Sequence, residues 1–244
     1  MGSGLQTAMK VDPRGDRLRL AYNAAIDKYM NAPVPVFVLP STLRSECVLG
    51  IQNTVQWSFN ANEANTSGGA TTVRSSERRL ATNDAFMVVG MSVMFGNELS
   101  AGTRPGSVLL QTWENPAAVA VLPATVGGFG ANAASLIEAY NGTLDWVIQS
   151  VQVLKNYDML HFKRVDTAQA GTLLFTASNQ AQSYFLREEV FGPMVPFVNI
   201  NGKMSSQLQM NIPDSSDFTL VASNRVIAVA ELEGILIQNG ATSI

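Results

Sequence analysis

The sequence predicts an all-β protein, an antiparallel sandwich, barrel or jelly roll, with a short N-terminal helix and one further helix near residues 131–140. Three observations lead there. Apolar and polar residues alternate with period two, most plainly in IQNTVQWSFN at 51–60, where Ile51, Val55, Trp57 and Phe59 are set against Gln52, Thr54, Gln56, Ser58 and Asn60. Turn residues punctuate the chain at short intervals: NANEANTSGG at 60–69, Gly102 to Gly106, Gly127 to Gly130, Asn141-Gly142, Asn201-Gly202, Pro213-Asp214 and Asn239-Gly240. Finally, 46% of the 244 residues are hydrophobic and 14% charged, against roughly 25% charged in an average soluble domain. A large apolar core is available, and little of the surface is held off by charge.

Residues 1–15 are small, polar and rich in Gly and Pro, as in a flexible arm. From Asp16 to Met30 the apolar positions Leu18, Ala21, Tyr22, Ala25, Ile26, Tyr29 and Met30 recur at three and four, the spacing of one helical face. Pro33 and Pro35 forbid its continuation. The expected organisation is thus an arm and amphipathic helix over 1–32, followed by a β domain over 33–244.

Within that domain strands are expected at Val34–Leu39, 51–60, Phe86–Phe95, Ser107–Gln111, Leu144–Leu154, Gly171–Thr176, Val195–Ile200, Gln207–Ile212, Phe218–Val221 and Val226–Gln238. In Gln207–Ile212, Leu208, Met210 and Ile212 alternate with Gln207, Gln209 and Asn211, so one side is wet. FMVVGMSVMF and VIAVAELEGILI are apolar on both faces and call for cover by a second sheet and by a helix or another subunit. Glu231 and Glu233 share a face with Ile227, Val229, Ile235 and Ile237, which marks a rim or a pairing position rather than a dry core. The helix at 131–140 has Leu136, Ile137 and Tyr140 as its apolar side, with Asn141-Gly142 as a left-handed stop.

The chain is poor in reactive side chains. It has one histidine, His161, and one cysteine, Cys47, so at most one imidazole is available as a general base or metal ligand, and no intrachain disulfide can form. Cys47 sits beside Val48 and Leu49 and reads as a buried small hydrophobe. His161, in YDMLHFKRVD, lies near Asp158 and Asp166 without a Ser or Cys motif, and reads as a structural or contact residue. The segment AVAVLPATVGGFGANAASLIEAY places Gly128, Gly130 and Ala133 in dinucleotide-type spacing. Pro123 interrupts its strand and no basic residue is near, so a Gly-rich loop feeding a helix is the better reading. The acid pairs Glu188-Glu189 and Glu231 with Glu233 lack a glycosidase motif and read as solvated surface. No catalytic residue, cofactor or metal site is expected, and no small-molecule substrate.

Net charge is −3, which argues against a coat of nucleic acid, yet residues 1–79 carry nine Lys and Arg against six Asp and Glu. Arg14, Arg17, Arg19 and Lys28 on the arm and helix, joined by Arg74, Arg78 and Arg79, are candidate contacts to a neighbour or to an enclosed phosphate or lipid surface. Asp12, Asp16, Asp27 and Glu77 dilute them, which favours salt-bridged surfaces. The N-terminus has no apolar stretch of signal-peptide length, and nowhere do about 18 uncharged apolar residues run together. A soluble product of the cytoplasm is expected.

The order NGTLDWVIQSVQVL, NYDMLHFKRV, FGPMVPFVNINGKMSSQLQMNIPDS and VIAVAELEGILIQNG, over about residues 80–244 and closing on Gln238-Asn239-Gly240, resembles the jelly-roll major capsid proteins of icosahedral tailless bacteriophages, including small lipid-containing ones. That resemblance implies a wall-building block: eight or more antiparallel strands in two sheets, loops carrying contacts between subunits, and an N-terminal arm reaching a neighbour or the particle interior. The chain is short for a double barrel, so single and double jelly rolls both stay open. The expectation is a structural protein, made in a host cytoplasm, that assembles with copies of itself as trimers or pentamers of a virion shell, alongside other virion proteins. A different virion or cell-surface sandwich, such as a spike, tail or lectin-like protein, is the alternative; sugar binding there would need exposed aromatics among Trp57, Trp113 and Trp146.

Overall fold

A computed structural model describes residues 13–63, 77–98, 133–162, 192–219 and 225–242. Helix α1 spans Pro13–Tyr29, followed by β1 Phe37–Leu49, β2 Ile51–Ser58, β3 Ala85–Glu98, α2 Ala133–Tyr140, β4 Thr143–Ile148, β5 Val151–Asp158, β6 Gly192–Asn201, β7 Ser206–Asp217 and β8 Arg225–Gln238. Short 3-10 turns follow β5 at Met159–Phe162 and β8 at Gly240–Thr242. The described residues are mainly β, as expected.

The strands form two four-stranded antiparallel sheets, β1-β8-β3-β6 and β2-β7-β4-β5. Pairing is nested: the first strand lies against the last, the second against the seventh, the third against the sixth and the fourth against the fifth. Among the described residues the strands therefore pair as one long antiparallel hairpin whose successive rungs alternate between the sheets, stitched together where β8 also meets β3 and β7 also meets β4.

Period two decides what is buried between the sheets. Val55, Trp57, Leu144, Trp146, Leu208 and Met210 from one sheet meet Leu43, Phe86, Val88, Val93, Ala230 and Leu232 from the other. Each indole N–H in this core has an acceptor: Trp57 Nε1 donates to the Ala228 carbonyl at 3.1 Å and Trp146 Nε1 to Ser206 Oγ at 3.0 Å. The outer face of the β1-β8-β3-β6 sheet is apolar at one end, where Ala21, Ala25 and Tyr29 of α1 pack on Ala85, Met87, Val89, Ile235 and Ile237. The two-sided strands β3 and β8 thus receive a sheet on one face and a helix on part of the other.

Several expectations need correction. Leu144–Leu154 is not one strand but a hairpin, β4 and β5, turning at Gln149-Ser150, both with positive φ (45° and 67°). No Gly or Asn announces that turn. Strand β7 runs through Pro213-Asp214 to Asp217 instead of turning there, while Phe218 and Thr219 are not strand. The first strand starts at Phe37, later than expected, and continues to Leu49. Ile51 is 70% exposed because the pairing slips between Gln52 and Thr54, separating it from the buried series Val55, Trp57, Phe59. Helix α1 starts at Pro13, a residue suited to a first turn, so the expected arm loses 13–15 to it. The stop after α2 is not left-handed: Gly142 is needed because a Cβ there would lie 2.4 Å from the Asn211 carbonyl oxygen. The expected strands at Ser107–Gln111 and Gly171–Thr176 lie outside the described residues, as does the glycine-rich loop at 127–130.

Candidate interaction surfaces

On α1, buried residues recur every fourth position, at Ala21, Ala25 and Tyr29, and the next row round is also apolar: Tyr22 and Ile26 are exposed, as is Met30 just past the helix end, to 71%. The docking of α1 therefore leaves part of its apolar surface exposed. Val34, Phe37 and Leu39 add exposed apolar side chains where the helix hands over to β1. The four basic candidates do not form one patch. At about 100° per residue Arg17 and Lys28 flank one side of the buried stripe, whereas Arg19 falls on the opposite side, in the row of Tyr22 and Ile26. Arg19 is paired with Asp16 at 3.2 Å, and the Lys28 ammonium lies 5.5 Å from the Tyr29 ring centroid. Arg17 is half-buried, its Nε without a hydrogen-bond partner, and the side chain of Arg14 lies outside the described ones. Of the second basic group Arg44 holds Arg78, through mutual backbone hydrogen bonds of 2.8 and 2.9 Å, while Arg79 is bonded to Glu77 at 3.0 Å; Arg74 lies outside the described residues.

Beyond the α1 contact, the outer face of the same sheet carries charge. Register places Arg44 of β1, Glu231 of β8 and Ser92 of β3 in one cross-strand row. The Arg44 guanidinium lies 2.6 Å from Glu46 and 3.6 Å from Glu231, and Glu77 accepts from both the Glu46 N–H at 2.8 Å and Arg79 at 3.0 Å. Glu46, Glu77, Glu231 and Glu233 are buried at the side chain or residue level. Glu231 and Glu233 are therefore not solvated surface; Glu231 holds the pairing position that its apolar neighbours indicated. Its partner Arg44 was not legible, because cross-strand register is needed to bring residues 44 and 231 together.

The outer face of the other sheet is polar and joined by side chains across all four strands. Gln56 Nε2 donates to Gln209 Oε1 at 3.0 Å, Gln209 Nε2 to Asn211 Oδ1 at 2.5 Å, and Asn211 Nδ2 to Asp145 Oδ2 at 2.7 Å. Asp145 Oδ1 accepts the Asn156 N–H at 2.8 Å and Gln152 Nε2 at 3.4 Å. Of the tryptophans that a sugar-binding platform would need exposed, Trp57 and Trp146 are buried, and Trp113 lies outside the described residues.

His161 is exposed in the turn after β5. Its Nδ1 lies 3.1 Å from the Asp158 carbonyl oxygen, and its ring lies tilted by 33°, 4.8 Å between centroids, against Tyr157, whose phenol is held above its ordinary pKa by burial and then by the Asp158 charge. Cys47 is buried between the sheets. Cys47 is thus a core residue, as its apolar neighbours indicated, and His161 an exposed turn residue. Glu188 and Glu189 lie outside the described residues. Among the described residues no three His, Cys, Asp or Glu side chains are grouped to hold a metal ion, and no helix is long and apolar enough to cross a membrane.

No protein-family model and no curated protein matches the chain.

Proposed function

We propose that this chain is a bacteriophage capsid protein with a single jelly-roll fold that assembles with copies of itself into an icosahedral shell. The observation that carries the reading is the nested strand order: a hairpin of four rungs dealt alternately into two four-stranded antiparallel sheets is how a jelly roll is wound. Eight strands in two sheets among the described residues support one barrel rather than two. The work of such a protein is association, so its active parts are faces. Symmetry repeats each contact around a closed shell, and modest contacts accumulate. Low charge suits this, since the cores of interfaces are depleted in charged residues, and the exposed row Tyr22, Ile26 and Met30 is of that character. Arg14, Arg17, Arg19 and Lys28 would contact a neighbouring subunit or the particle's contents. The product would be made in a host cytoplasm and reside in the virion.

Light scattering on size-fractionated protein, followed by electron microscopy, tests the reading. Trimers, pentamers or closed particles are expected as concentration rises. A protein that stays monomeric at millimolar concentration would overturn it and favour a monomeric binding sandwich.

A further inference from the structure

We draw no further inference here: the strongest candidate, the outward stripe of Tyr22 and Ile26 on α1 with Met30 just past its end, carries nothing more because nothing in the structure shows what covers it.

Discussion

At the scale of single residues, the fold depends on polar atoms that were buried with partners and on glycines that admit a neighbouring backbone. Trp146 is fully buried, and its indole N–H has the Ser206 hydroxyl as acceptor. Ser206→Ala leaves that donor unpaired in the core, at a cost of about 1–3 kcal/mol; urea unfolding of the variant measures it, and a loss below about 0.5 kcal/mol would show that the bond is replaced. Gly234 leaves no room for a side chain, because a Cβ would stand 1.9 Å from the Met87 carbonyl oxygen of the adjacent strand. Arg44 is the residue whose removal should be felt most among the charged groups. Arg44→Met strips buried Glu46 and Glu231 of a shared cation, and removing one partner of a buried pair costs about 3–5 kcal/mol. Replacing Glu231 by Gln in the Arg44→Met background should then cost less than in the wild type. Additive losses in that double-mutant cycle, read by chemical denaturation, would mean that the two side chains are not coupled.

At the scale of elements, the sheet edges carry features that oppose indiscriminate strand pairing. The backbone of Arg44 bonds to Arg78 and the N–H of Glu46 to the Glu77 carboxylate, so even-numbered positions of β1 face the edge away from β8. Pro40 is on that side, where it removes a donor from the edge strand. Strand β6, the other edge, carries Pro193 and Pro196. In the second sheet β2 slips register at Asn53, and β5 does so beside Trp146 and presents Lys155. The hairpin between β4 and β5 is the weak point. A two-residue turn with positive φ at both positions favours Asn-Gly, but holds Gln149-Ser150. Gln149→Asn with Ser150→Gly should therefore stabilise by about 1–2 kcal/mol, read as a higher midpoint in thermal unfolding; an unchanged midpoint would show that the turn bears no strain. That turn also marks the limit of what the sequence discloses. Strands with regular alternation, such as β2, or with a long two-sided apolar run, such as β8, are legible, whereas a reversal made by ordinary residues or a strand that passes through Pro213 is not. Helix α1 was legible from its spacing, and its docking has a pH signature. Burial raises the Tyr29 phenol above its ordinary value of 10.0, so the folded form favours the neutral ring. The stability this gives is full below about pH 10 and is lost as pH rises through the raised value. Thermal midpoints measured from pH 8 to 11 should fall less steeply in Tyr29→Phe than in the wild type, and parallel curves would assign the alkaline loss elsewhere.

At the scale of the whole molecule, composition foretold an abundant core and a sparsely charged exterior, while the order in which strands pair was beyond it. Nested pairing joins residues as distant as Phe37 and Gln238, and no local spacing encodes that. For the same reason the row of Arg44, Glu231 and Ser92 and the amide chain from Gln56 to Asp145 emerge only once the sheets are assembled. What composition does constrain is the force that would hold copies together. If association uses uncharged faces such as the Tyr22, Ile26 and Met30 row, sodium chloride between about 50 and 500 mM should leave it intact, because screening acts on charges, and sulfate should strengthen it, since excluded salts favour apolar burial. If instead Arg17, Arg19 and Lys28 hold a neighbour by ion pairs, the same rise in chloride should dissociate the oligomer. Ile26→Asp with Met30→Asp separates the cases further. Both positions are exposed, so thermal unfolding of the monomer should change little, while light scattering should report loss of the oligomer. Association that survives these two charges and falls with salt would move the contact from the apolar row of α1 to its basic flank.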